Sequence, residues 1–187
     1  MAGATTVNDR MGYRHDRQRI LDDAVAEALE HGLSQLTFGT VARRAGTSDR
    51  VVVYYFPTKS DLLMAVLAMV GDRLQTTLAA VFTEPADNHT QLLRAAWPVL
   101  STSASEPVFA LFFEAAGLAA AGREPFATIV PELVEAWINW TEANLAGPKR
   151  HRRAEAEAAI ATLDGLLLLR AIAGSDAANR AAAQMGL

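Results

Sequence analysis

Between residues 37 and 59 the chain concentrates side chains that donate hydrogen bonds or carry positive charge: Thr37, Thr40, Arg43, Arg44, Thr47, Ser48, Arg50, Tyr54, Tyr55 and Lys59. Hydroxyls, lysine and the amides at helix N-termini are donors to phosphate, and arginine presents a fork that can pair with two acceptors on one guanine. This is binding chemistry. The spacings that catalysis requires are missing, since the four histidines are scattered and there is no H-E-x-x-H pair, G-x-S-x-G elbow or glycine-rich phosphate loop. No enzyme is therefore expected. The absence of cysteine excludes disulfides and thiolate metal sites, and neither a metal nor a cofactor is expected.

The elements that must position these donors read as helices. With 51% hydrophobic and 20% charged residues, the chain has a globular composition. Its apolar positions recur at helical spacing with no convincing run of alternation, so the expected fold class is all-α. A first helix is expected over residues 14–31, with Ile20, Leu21, Ala24, Val25, Ala28 and Leu29 as its apolar stripe and Gly32 at its C-cap. Thr37 can cap a short helix that ends at Ala45-Gly46, and Ser48 can cap another that Phe56-Pro57 stops. Thr58 then opens a long helix over 59–81. Further helices are expected at 88–103, 106–121, 125–145, 150–173 and 176–185, with Pro98 and Pro131 kinking their helices or marking first turns. The apolar stretch 62–70 is well short of the ~20 residues of a membrane span, and residues 1–8 lack a signal-peptide pattern. A cytoplasmic protein that does not cross a membrane is expected.

Two short helices split by a glycine-containing turn, after a supporting amphipathic helix, form the arrangement that lays its last helix in the major groove of double-stranded DNA. Val41, Ala42, Ala45, Val52 and Phe56 can close a core with Ile20, Ala24, Leu29 and Leu36, leaving Thr40, Arg43, Arg44, Arg50 and the tyrosines outward. The net charge of -4 does not oppose this. Residues 1–60 hold eight Lys+Arg against seven Asp+Glu, while residues 61–187 hold nine against fourteen, and phosphates sense the potential only within about 10 Å.

In order along residues 17–63 come Arg19-Ile20-Leu21 with Ala24, Gly32, Leu36-Thr37, Val41-Ala42, Ala45-Gly46-Thr47-Ser48, Tyr54-Tyr55-Phe56-Pro57, and Lys59 with Leu62-Leu63. This succession resembles the TetR family of bacterial transcriptional regulators. The resemblance implies a three-helix DNA-binding domain over 1–57 and a helical ligand-binding and dimerisation domain over 58–187. It further implies that Thr37 and Thr40 anchor DNA backbone and that Thr47, Ser48, Arg50, Tyr54 and Tyr55 lie on or near the recognition helix. Lys59 would meet a phosphate. One position departs, because Val53 stands where the family very often has tyrosine; Tyr54 can replace it. Other readings apply to single residues. Thr37 and Ser48 cap helices with or without DNA, and Tyr55 beside Phe56 suits the core. Arg43 and Arg44 suit a solvated helix C-terminus, and Arg10, Arg14 and Arg17 are either a minor-groove arm or a solvated helix start.

Beyond residue 63 the resemblance is architectural. Trp97, Phe109, Phe112, Phe113, Phe126, Trp137 and Trp140 alternate with small residues such as Ala115, Ala116 and Gly117, a pattern that serves either a ligand cavity or ordinary core. Trp97, Phe109, Phe113, Trp137 and Trp140 are the candidate contacts for an apolar or aromatic small-molecule effector. Glu114, Asn139 and Asp164 either orient such a ligand or point outward. Leu166, Leu167, Leu168 and Leu169 cover every face of one helix and call for a second subunit. The resemblance implies a homodimer joined through its last two helices, with recognition helices about 34 to 36 Å apart on a pseudo-palindrome. It also favours a repressor, which a ligand would regulate by moving the long helix at 59–81. A small-molecule-binding protein whose first 60 residues serve only packing is the competing reading.

Overall fold

Helix α1 (Thr6–His31) begins earlier than expected and ends where Gly32 takes a left-handed conformation. The computed structural model describes the backbone of residues 6–187 and the side chains of residues 17–187, so the Arg10 and Arg14 side chains lie outside the described residues. The chain divides into two compact units, Met1–Val70 and Gly71–Leu187. The only β-type pairing among the described residues is an isolated parallel bridge between Ala86 and Leu145.

In the first unit, α1 is followed by α2 (Phe38–Ala45) and α3 (Asp49–Tyr55), and then by the start of α4 (Lys59–Ala79). The stripe on α1 buries Ile20, Ala24, Val25 and Ala28 together with Leu36, Val41, Ala42, Val52 and Phe56, as the spacing predicted; Leu29 is half-buried. Leu62, Leu63 and Val66 extend this core from α4. At the head of α4, the Asp61 carboxylate accepts from the Thr58 amide at 2.9 Å, and Thr58 Oγ1 accepts from the Asp61 amide at 3.1 Å. This reciprocal cap fixes the start that Thr58 suggested. By length and composition alone, α4 is long and apolar enough to cross a membrane, which the shorter apolar stretch at 62–70 did not indicate. Leu62, Leu63, Val66, Leu67, Val70 and Leu78 of this helix are instead buried, and Leu74 is half-buried.

The second unit contains the rest of α4, α5 (His89–Leu100), a 3-10 turn at Ser103–Ser105, α6 (Glu106–Ala120), α7 (Phe126–Ala143), α8 (Lys149–Ala173) and α9 (Ser175–Gln184). Pro98 and Pro131 both lie inside helices at exposed positions, where the missing amide bond is least costly. Polar ties join α8 to its neighbours. Arg153 donates to both Glu135 oxygens on α7, at 2.6 and 2.8 Å; Arg170 donates to Glu106 on α6 at 2.8 Å; and Glu155 accepts from the His89 amide on α5 at 2.7 Å. Four consecutive leucines do not all share one environment. Leu166 and Leu167 are buried, whereas Leu168 and Leu169 are exposed.

Candidate nucleic-acid interface

The turn between α2 and α3 is built on Gly46, whose φ of 64° and ψ of 35° are left-handed. Its neighbour closes the turn, as the Thr47 amide donates to the Ala42 carbonyl at 2.9 Å. At the other end of α2, Thr37 Oγ1 accepts from the Thr40 amide at 3.1 Å while Thr40 Oγ1 accepts from the Thr37 amide at 2.9 Å. Both hydroxyls expected at the DNA backbone are thus first of all a reciprocal cap. Thr37 remains exposed and Thr40 is half-buried. Ser48 occupies the N-cap position of α3 without making the cap bond expected of its side chain. The reason is local: the Val51 amide, the usual partner of such a cap, donates to the Ser48 carbonyl at 2.9 Å. That leaves the exposed hydroxyl uncommitted to capping.

Along α3, Val52 is fully buried and points into the core, so the opposite side of the helix faces outward. Arg50 is exposed, and Tyr54 is 66% exposed. Tyr55 is half-buried and meets Tyr54 edge-on at 5.1 Å between ring centroids, intermediate between the contact and core readings. Thr47 is half-buried in the turn, and Lys59 is exposed at the first position of α4, where helix dipole and ammonium add. Asp49, the only acid in α3, has its carboxylate against Gly39 of α2, 3.5 Å from where a Cβ would stand.

Three arginines differ from one another in ways spacing did not reveal. Arg43 is exposed, as a solvated residue would be. Arg44 is not simply solvated: it donates to Glu27 at 2.8 Å and to Glu30 at 2.7 Å, tying α2 to α1, and its hydrogen bond holds the Glu30 carboxyl below the ordinary range. Arg17 places its guanidinium 4.9 Å over the ring of Phe56, a cation–π contact within the unit.

In the second unit, all five proposed effector contacts fall in one hydrophobic cluster. Trp97 and Phe109 are buried members, with Phe113, Trp137 and Trp140 packed around them. Trp137 and Trp140 meet edge-on at 5.5 Å, and Phe109 and Phe113 lie 6.4 Å apart. Phe82 also packs on Trp140, at 5.7 Å between ring centroids; the spacing of four from Leu74 to Leu78 to Phe82 was its signal in the sequence. Asn139 is exposed and accepts from Arg153 at 3.3 Å, so it points outward. Glu114 and Asp164 are half-buried, and burial pushes the Asp164 carboxyl up to about 6.

Residues 20–66, spanning the core of α1 through the first turns of α4, match the family model described as bacterial regulatory proteins, tetR family. The HTH-type transcriptional regulator BetI of Escherichia coli (strain K12 / DH10B) is 36% identical over 67 residues. That match covers 35% of this chain and about a third of BetI, 34%. A transcriptional regulator from Rhodococcus sp. Rha1 shares the fold over 91% of this chain and 94% of its own, with a TM-score of 0.69 and 24% identity. The multidrug binding protein EbrR, in complex with imidazole, aligns over 90% of this chain and 88% of its own, with a TM-score of 0.66 and 25% identity; further EbrR structures hold proflavin and malachite green. Residues Ile20 to Val66 thus form a helix-turn-helix that matches the tetR family of bacterial regulatory proteins, and the chain shares its helical fold with the Rhodococcus regulator and with EbrR over about nine-tenths of its length.

Proposed function

We propose that this protein is a cytoplasmic, ligand-responsive repressor that binds a pseudo-palindromic operator as a homodimer. In this reading residues 1–57 bind DNA, and residues 58–187 bind the effector and a second subunit. The observation that carries it is the outward side of α3, where Arg50 and Tyr54 are both exposed opposite buried Val52. Exposed Lys59 and the exposed Ser48 hydroxyl, which makes no cap bond, supply phosphate donors on the same unit. Arg50 can then pair with a guanine in the major groove. Thr37, Thr40, Thr47 and Tyr55 contribute backbone contacts.

The effector in this reading is an apolar or aromatic molecule received among Trp97, Phe109, Phe113, Trp137 and Trp140. Their clustering supports it, as does the likeness to a multidrug binding protein solved with proflavin and malachite green. α4 is the stretch of helix that passes from one unit into the other, and an effector regulates only by favouring one of its arrangements. Dimerisation through the last two helices covers the apolar side chains that α8 leaves in solvent.

The test is selection of duplexes from a random pool at stated salt, with Arg50→Ala in parallel. Enrichment of a pseudo-palindrome by the wild type, lost at least tenfold in the variant, is the expected result; roughly 1–3 kcal/mol is at stake in one bidentate base contact. A folded, dimeric protein that enriches nothing would overturn the reading.

A further inference from the structure

Val51 and Val53 have no part in the contacts assigned above, yet they are exposed on the same short helix. Val52 between them is fully buried, while Val51 is 36% and Val53 38% exposed. Neither burial nor local preference accounts for them, since β-branched residues are mediocre helix formers and gain nothing from facing water.

Their angular placement is informative. At 100° per residue, Arg50 and Tyr54 share the middle of the outward side of α3, and Val53 and Val51 stand roughly 80° to either side of it. The helix therefore presents a polar centre with two small apolar shoulders. The charges on the same unit favour an anionic occupant: Arg50 and Lys59 are exposed cations, while of the exposed acids Asp61 has its carboxylate held by Thr58 at the head of α4 and Asp49 has its carboxylate against Gly39 on α2. Cationic surroundings select a polyanion, and the apolar group that a duplex offers in its major groove is the 5-methyl of thymine.

We infer that Val51 and Val53 are specificity-determining residues that read thymine methyls on the two sides of the base pair met by Arg50. The inference rests on the DNA-binding reading above and adds to it a chemical requirement: the operator must carry thymine, not merely any pyrimidine, at these positions. No hydrogen bond is involved, so the preference is moderate, on the scale of burying one methyl group, about fourfold in affinity per position.

The experiment replaces each thymine of the selected duplex by deoxyuridine, one position at a time, which removes the methyl and preserves base pairing. Affinities are measured for the wild type, Val51→Ala and Val53→Ala. Alanine is the better helix former and both positions are exposed, so the fold is expected to persist, with thermal unfolding as the check. The expected outcome is a loss of about fourfold for the wild type at one or two thymines per half-site. Each valine variant should then bind the thymine and deoxyuridine duplexes alike at its own position, while still requiring the guanine that Arg50 reads. Uniform tolerance of deoxyuridine by the wild type, or a methyl effect that survives in both variants, would overturn this inference and leave DNA binding standing. Failure to enrich any duplex would instead remove the reading on which it rests.

Discussion

Asp164 is half-buried on α8, and burial alone raises its carboxyl to about 6. An unfolded chain releases this proton near pH 4. Below that point the carboxyl is neutral in both states and burial costs nothing on its account. As pH rises from about 4 to 6 the unfolded chain loses the proton first, so stability falls, and above this window the whole penalty is present. Asp164→Asn is therefore expected to stabilise the protein at about pH 8, by up to roughly 2 kcal/mol, and to bring no gain below about pH 4. Urea unfolding at the two pH values checks this; equal gains at both would show that the charge is not the cause. The sequence could nominate Asp164 as a polar residue within an apolar stretch, but its burial depends on what α8 packs against. Arg44 makes the same point in reverse. A solvated helix end and a double ion pair to Glu27 and Glu30 have the same local sequence, because both partners are on another helix.

At the scale of elements, the helix-turn-helix depends on one backbone conformation. Gly46 is left-handed, and a Cβ placed on it would meet nothing within 4 Å. The cost of Gly46→Ala is thus backbone strain without a clash, about 1–2 kcal/mol. A fall in unfolding free energy of that size is expected, with the solution helicity unchanged; a neutral substitution would mean that the turn relaxes into another form. This turn, the caps at Thr37 and Thr58 and the break at Phe56-Pro57 were all legible, because each is decided by bonds between residues at most a few positions apart. The failure at Ser48 is instructive. Its type and position were right for a cap, but the amide it would have capped is bonded to its own carbonyl, a choice of rotamer and turn that residue type does not dictate.

For the whole molecule, the question is what covers the end of α8. Leu168 is 43% exposed and Ile172 77% exposed, with Leu169 beside them. A patch of this kind at the end of a 25-residue helix is suited to a two-fold partner, which would present the same side chains in return. Ile172→Asp is expected to convert a dimer to a monomer in light scattering at micromolar concentration and to reduce operator affinity by more than tenfold, since half-sites would then be bound singly. A variant that stays dimeric would move the interface elsewhere. By itself the sequence determined the helical class, the order and approximate ends of the helices and the helix-turn-helix with its glycine turn, because apolar periodicity, caps and turn residues act over a few residues. Only the tertiary structure decided which leucines of the run 166–169 are buried, that the five aromatic candidates form one cluster, that Arg17 rests on Phe56 and that Arg44 is an inter-helix tie. Those outcomes depend on contacts between residues far apart in the chain, and no local pattern specifies them.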